Sequence, residues 1–247
     1  MRNYTLHSLL FKTTSDYEAN LVALLELLQH TPEQSLVVAP EVCLTGFDYE
    51  NFDKAADFTQ YALSRIKKLS FQKIIILTMI EKSEGAFYNR VKVIHNGEVI
   101  HERAKARLFH FGGEHEYFSE GEDSHVEIIE VEGIKIAILV CFELRFKELW
   151  KLCEGADVIA TPSWWGVLRA EHFKALTQTL AIMNQCYVVA SDSMNDTCSK
   201  MSGIINPKGE ALYNGNTPCL EVVYSKKEIS LMRRYIDVGI GNERWIE

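Results

Sequence analysis

The sequence has no apolar run approaching the ~20 residues needed to cross a bilayer, so no membrane-spanning helix is expected. Its first stretch, MRNYTLHSLLFKTTSDYE, carries an apolar patch too short and too interrupted for a secretory leader. The cytoplasm is therefore the expected compartment. Lys and Arg form no stripe, and the net charge is −8 with a pI of about 5.6, which argues against a nucleic-acid partner. The six cysteines (Cys43, Cys141, Cys153, Cys186, Cys198 and Cys219) form no CxxC pair and no zinc-like spacing. In a reducing compartment they are expected to be free thiols. His115-Glu116 begins an HExxH pattern, but Ser119 stands where the second histidine is required, so no metal is expected there. GxGxxG, a Walker loop and GxSxG are all missing, which removes the common dinucleotide, P-loop and serine-hydrolase readings. With no low-complexity linker and no internal repeat, residues 1–247 read as a single domain.

What is present is an alternation of short apolar runs with helical patterns, plus hairpins, which places the chain in the α/β class. Residues 4–11 read as a strand. Ser15 and Glu18 suggest a capping box before a helix with Tyr17, Leu21, Leu24, Leu25 and Leu28 on one face. Residues 36–39 and 73–80 read as buried strands, separated by an amphipathic helix over 54–70. Asn96-Gly97 and Glu132-Gly133 each sit between strand-like runs and predict hairpins, 87–94 with 98–103 and 125–131 with 134–140. Residues 110–123 (HFGGEHEYFSEGED) read as a substrate-facing loop. Further strands are expected at 157–161 and 187–191, and helices from Arg145, over 168–185 and over 226–234. The turn Asn206-Pro-Lys-Gly209 joins two strands, and the tail from Asp237 has no clear period.

Three residues stand out by position. The run 136–140 (IAILV) has no polar side chain and stops at Cys141, where a strand gives way to a helix-like segment. A thiol at the carboxyl end of a buried strand sits where α/β folds carry their chemistry. Glu41 follows the strand 36–39 after Pro40, and Lys105 follows the second arm of the first hairpin. If these strands are neighbours, the three side chains meet at one rim. A carboxylate shielded from water can take a thiol proton, and a lysine beside it can hold an oxyanion. His110, His115 and His172 remain alternative bases for Cys141. Trp164 and Trp165, at another strand end, could wall a pocket or simply pack.

Read as blocks, VVAPEVCLTGF, YNRVKVIHNGEVIHERAKARLF, ILVCFELRF and the later WWGVLRAEHFKALTQTLAIMNQCYVVASD and GIINPKGE resemble the nitrilase superfamily of carbon–nitrogen hydrolases over nearly the whole chain. The resemblance implies a four-layer α-β-β-α sandwich, with Glu41 as general base, Lys105 and the backbone N–H of Phe142 as oxyanion donors, and Cys141 as nucleophile. It aligns Glu114 with a second active-site glutamate, with Glu116 two residues away as the other register. It implies no metal, no cofactor and a homodimer or larger homo-oligomer. The nucleophile block departs from the usual pattern at Phe142 and Glu143, where Tyr and Asp are more common, and at Lys147, where Pro is. Arg107 stands where His is frequent. GGEHEYFSEG and the short length look most like the ω-amidase branch, whose substrates are small dicarboxylic acid monoamides such as 2-oxoglutaramate. Arg107 or Arg169 could then meet the free carboxylate, although a surface salt bridge is the favoured expectation for each; Trp164 and Trp165 would lie near the acyl pocket, and Arg145 would be a structural ion pair. The rival expectations are an N-carbamoyl amine hydrolase using the same three residues, and a non-catalytic or redox-sensing protein in which Cys43 could resolve Cys141.

Overall fold

The structure is a computed structural model that describes residues 4–240. In chain order its strands and helices are β1 (Thr5–Leu9), α1 (Tyr17–His30), β2 (Ser35–Val38), α2 (Phe52–Ile66), β3 (Lys73–Ser83), β4 (Ala86–His95), β5 (Glu98–Ala104), β6 (Ile129–Val131), β7 (Ile134–Ile138), α3 (Lys147–Leu152), β8 (Val158–Pro162), α4 (Ala170–Asn184), β9 (Tyr187–Ser191), β10 (Gly203–Ile205), β11 (Ala211–Tyr213), β12 (Cys219–Val223) and α5 (Lys226–Tyr235). They form two six-stranded mixed sheets, ordered β12-β1-β2-β3-β4-β5 and β11-β10-β9-β8-β7-β6. In each sheet three consecutive strands are parallel, β1-β2-β3 and β7-β8-β9, with antiparallel hairpin strands outside them.

Strand β2 shows how sequence period becomes layering. Leu36 and Val38 join the core between the sheets, which also takes Ile74 and Ile76 from β3 and Ile136 and Ile138 from β7. Val37 and Ala39 point the other way, into a second core with Leu21, Leu24 and Leu28 of α1 and Leu63 and Ile66 of α2. Alternate side chains leave a strand on opposite faces, so a strand covered on both sides must be apolar throughout. On the far side, Phe173, Leu180 and Ala181 of α4 close the second sheet. The four-layer α-β-β-α expectation matches this architecture.

The differences from the sequence reading lie at element ends. The cap of α1 is Asp16, not Ser15: its carboxylate accepts from the Ala19 N–H at 3.0 Å. Residues 123–125 form a short 3-10 turn, so β6 starts at Ile129. The segment from Arg145 is split, a 3-10 turn over Cys141–Arg145 and then the short α3. Two pairings were not foreseen. Glu84-Gly85, both at positive φ, close a β3–β4 hairpin, and β12 adds antiparallel to β1. Both predicted hairpin turns are present, with φ of +48° and +83° at Asn96-Gly97 and +51° and +77° at Glu132-Gly133. The last part of the tail, residues 241–247, lies outside the described residues.

One buried titratable group in β1 makes stability depend on pH. Burial, with Lys73 acting in the same direction, lowers His7 from 6.5 to about 4. Its Nε2 contacts Thr5 Oγ1 at 2.8 Å and Ser35 Oγ at 3.1 Å. A lowered folded value means the neutral ring is the stable form. The contribution is therefore complete above the unfolded value and is lost as pH falls from 6.5 toward 4, about 3 kcal/mol in all. Urea titrations across that window should show the loss in the wild type and a flatter limb in His7→Gln. Parallel limbs in the two proteins would exclude His7 as the cause.

Candidate active site

Glu41, Lys105, Cys141 and Trp164 all lie just past the carboxyl ends of strands, after β2, β5, β7 and β8 respectively. The strand ladders continue briefly into these segments before the chain turns: Ala39 N–H donates to Ile76 O, Lys105 N–H to Asn89 O and Leu139 N–H to Ala160 O, at 2.8 to 3.0 Å. The backbone is then strained beside both the carboxylate and the thiol. Val42 has φ of +40° and Cys141 has φ of +46°. A β-branched residue and a cysteine adopt the left-handed region only when their surroundings impose it, and such positions gather at functional sites. At Val42 the backbone N–H is held by Thr78 Oγ1 at 2.8 Å.

These turns bring the three predicted residues together, with Glu114. Lys105 Nζ donates to Glu41 Oε1 at 2.7 Å and to Glu114 Oε1 and Oε2 at 3.0 and 2.9 Å. Lys105 and Glu41 are fully buried and Glu114 nearly so, while Glu116 is exposed. Glu41 Oε1 also accepts from Asn89 Nδ2 at 2.7 Å, and its Oε2 from the Trp164 N–H at 3.1 Å. Cys141 lies close enough to the Glu41 carboxylate and the Trp164 amide for both to act on the thiol's ionisation. Burial pushes the thiol well above its ordinary range, and the Glu41 carboxylate pushes the same way against Lys105. Burial likewise raises the Glu41 carboxyl, with Lys105 opposing. For Lys105 burial works against the charge, but Glu114 and Glu41 outweigh it and hold the ammonium protonated. The resting cluster thus sets a neutral thiol near an ammonium held between Glu41 and Glu114. A carboxylate with a raised pKa, in contact with a thiol, is arranged to accept its proton.

Cys141 opens onto a narrow cleft, about 30 Å³ in volume, lined by Phe109, Glu114, Phe142, Trp164, Trp165 and Gly166, with Arg145 and Arg169. A larger hollow beside α5, about 540 Å³ and bordered by Lys208, Leu231 and Tyr235, has no comparable reactive cluster, so size alone does not locate the chemistry. Phe142 follows Cys141 in the 3-10 turn, where the first N–H groups have no acceptor within the turn. Arg169 stacks over Phe109 (5.1 Å to the centroid) and Arg145 over Trp165 (4.8 Å). Arg145 Nη2 contacts His172 Nδ1 at 3.2 Å. Among the described residues neither guanidinium has a carboxylate within ion-pairing distance, and their mutual repulsion adds to burial in lowering Arg145. This differs from the expectation of a structural ion pair at Arg145. Arg107 lies outside the cleft lining, paired with Asp123 and stacked on Phe146. His110 and His115 stack on each other in the open loop, and neither they nor His172 lines the cleft.

Other residues that build this site were not singled out from the sequence. Asn89 holds Glu41, and its signal was a polar side chain inside the alternating run of β4. Asp192 accepts from the Trp165 N–H at 2.8 Å and from Ser199 Oγ at 2.5 Å, fixing the cleft wall; burial raises it to about 6. Arg103 and Glu143 form a buried ion pair that no local pattern announces.

The model of the carbon–nitrogen hydrolase family matches residues 4–235. The 2-oxoglutaramate amidase of Bacillus subtilis (strain 168) is 31% identical over 192 residues, covering 73% of each chain. The deaminated glutathione amidase of Escherichia coli O157:H7 is 27% identical over 212 residues, covering 81% of each. Among solved structures, a CN-hydrolase superfamily protein from Xanthomonas campestris superposes with a TM-score of 0.83 at 22% identity over 96% of both chains. A nitrilase-superfamily member from Saccharomyces cerevisiae gives 0.83 at 21% identity, over 96% of this chain and 95% of that one.

Proposed function

The chain belongs to the carbon–nitrogen hydrolase family, and from that premise we propose that it hydrolyses the terminal amide of a small carboxylic acid through a thioester on Cys141. The observation that carries this reading is the fully buried Lys105, bonded to the carboxylates of Glu41 and Glu114, with Glu41 and Lys105 both acting on the Cys141 thiol. As Cys141 Sγ attacks the amide carbon, its proton passes to Glu41. The Lys105 ammonium and the Phe142 N–H stabilise the oxyanion that develops. Glu41 then returns the proton to the nitrogen, the C–N bond breaks, and ammonia leaves a thioester behind. Water, deprotonated by the same carboxylate, attacks the thioester and releases the acid, and the thiol recovers its proton. Glu114, nearly buried on the far side of Lys105, keeps the ammonium aimed at the reacting carbonyl.

The two stacked guanidinium groups support the carboxylate end of the substrate. Stacking occupies the faces of Arg145 and Arg169 and leaves N–H edges for an anion. A redox role is disfavoured because burial lifts the Cys43 thiol to about 12, which leaves little thiolate to resolve an oxidised Cys141.

Ammonia release should be measured from ω-amides with a free carboxylate, their neutral ester counterparts, N-carbamoyl amino acids and nitriles. Fastest release from the ω-amide acids, slower release from their neutral esters and none from the other two classes is the expected result. Carbon dioxide appearing with ammonia from the N-carbamoyl compounds would replace the amide reading with the carbamoyl one, and silence across the panel would sink both. Arg145→Met and Arg169→Met should each raise KM for the carboxylate-bearing amides by about 10- to 100-fold and leave neutral amides unchanged. Equal effects on charged and neutral amides would remove the guanidinium groups from substrate recognition.

A further inference from the structure

Lys105 and Cys141 belong to different sheets. Lys105 leaves β5 at the edge of the first, Cys141 leaves β7 in the second, and no strand ladder joins β5 to β7. Hydrophobic packing between two sheets is non-directional and does not by itself set a reacting sulfur and an ammonium to within a fraction of an ångström. Something directional must fix the two segments against each other.

The Glu143 carboxylate does so with every acceptor position it has. Its Oε1 accepts from the Ala106 N–H at 2.6 Å and from Arg103 Nη1 at 2.9 Å. Its Oε2 accepts from the Val140 N–H at 2.7 Å and from Arg103 Nη2 at 2.6 Å. Ala106 directly follows Lys105, and Val140 directly precedes Cys141. One side chain therefore spans from the backbone beside the lysine to the backbone beside the thiol. Arg103 completes the frame from the other side, donating to Ala104 O at 3.0 Å and to Ile138 O at 2.8 Å. The pair is enclosed, with both side chains essentially without solvent contact. Burial raises the Glu143 carboxyl, but Arg103 and the two amides outweigh it and keep it ionised. The Val140 bond also anchors the turn in which Cys141 holds its positive φ.

We propose that Glu143, oriented by Arg103, is a positioning residue that sets the register of Cys141 against Lys105 across the two sheets. It touches neither substrate nor thiol and acts through the backbone on both sides. The inference relies on the amidase reading for its turnover readout and is independent of it for the thiol readout below. The charged groups acting on the thiol are Glu41, Lys105 and Glu114 within the cluster, with Arg145 at the cleft. Glu143 moves Lys105 relative to that set without titrating.

Two variants separate positioning from the stability of a buried ion pair. Glu143→Asp, which installs the residue more common here in the family, keeps the charge for Arg103 but lacks a methylene, so in this chain, whose Val140 and Ala106 amides are spaced to a glutamate, it cannot reach both. Arg103→Lys keeps a cation for Glu143 and leaves the bridge between the two amides intact. We expect Glu143→Asp to lower kcat by about 100-fold with KM within about twofold, as displacement of reacting groups by about an ångström does. The rate of Cys141 alkylation by iodoacetamide, followed by peptide mass spectrometry, should fall at each pH, with its rise displaced to higher pH as Lys105 retreats from the thiol. Arg103→Lys should lose less than about fivefold in kcat and keep the wild-type alkylation profile, an estimate that takes the intact amide bridge as the deciding contact. Wild-type kcat and alkylation in a folded Glu143→Asp would overturn the proposal. So would an Arg103→Lys that loses as much as Glu143→Asp, since the ion pair alone would then be the requirement. If the wild type turns over no amide yet the two variants still differ in alkylation profile, the amidase reading fails and the positioning role stands.

Discussion

Cys141→Ala is expected to lower amide hydrolysis by on the order of 10⁵-fold or more while the protein stays folded. The size of the effect follows from the division of labour in the cluster. Glu41 and Lys105 can orient and polarise a bound amide without the sulfur, but no bond to carbon can form, so the thioester route is closed. What remains is direct attack by a water that no residue has been shaped to hold in place of the sulfur. The fold should tolerate the change because only one atom is removed, at a side chain that faces the cleft. The positive φ of Cys141 is also borne by the surrounding bonds, the Val140–Glu143 contact among them, and these survive the substitution. Ammonia release in single-turnover and steady-state assays, with thermal unfolding as control, checks both halves. Hydrolysis surviving in a pure Cys141→Ala preparation would remove the nucleophile assignment and return attention to water activation by Glu41 alone.

Lys105→Met should be damaging in a different way, because it strikes both rate and stability. The oxyanion loses a donor, which by itself lowers kcat by about 10²–10³-fold. The larger consequence is electrostatic. Lys105 is the ammonium between Glu41 and Glu114, with Nζ at 2.7 Å from one and 2.9 Å from the other, and both carboxylates are shielded from solvent. Without it two carboxylates face each other across a dry gap, and one must take up a proton near neutral pH. If Glu41 takes it, the base is lost too, and the combined fall in kcat should exceed about 10⁴-fold, the donor and general-base contributions multiplying. Breaking such a pair by removing one partner destabilises by about 3–5 kcal/mol. Restoring charge balance tests the account: Lys105→Met combined with Glu114→Gln should recover much of the lost stability and none of the lost rate. Recovery of rate in the double variant would mean that Lys105 serves only to neutralise Glu114. A Lys105→Met protein as stable as the wild type would mean that the cluster is far wetter than its burial indicates.

How far each of these residues could be read in advance differs for physical reasons. Cys141 and Glu41 were legible because each ends an apolar run, and Lys105 because it follows the second arm of a predicted hairpin and closes the lysine block of the family it resembles. A strand covered on both faces must be apolar, so the residue at which polarity returns marks the rim where chemistry is carried. The four layers followed from the resemblance to the nitrilase superfamily, whereas the Asn96-Gly97 and Glu132-Gly133 turns were legible in their own right, because only a few residue types adopt their backbone torsions without strain. Strand β12 and the Glu84-Gly85 hairpin were not, since half-exposed edge strands such as Cys219–Val223 carry a diluted pattern and depend on the neighbour that pairs with them. Glu114 was distinguishable from Glu116 only once the 3-10 turn put one inside and the other outside.

The sequence alone thus determined an α/β class and singled out Glu41, Lys105 and Cys141 as candidates at strand ends, because local polarity and its period carry that much, and its resemblance to a known family supplied the layers. The tertiary structure decided everything that depends on distance between segments far apart in the chain. It paired Arg107 with Asp123 and left Arg145 and Arg169 facing the cleft without an acid. It gave Asn89 to Glu41, and it used Glu143, forty residues from Arg103, to tie two sheets at the point where they meet. A charged side chain looks the same in sequence whether it ends in water, in an ion pair or at a substrate. Only its neighbours in space choose among these, through the cost of leaving it unpaired when buried.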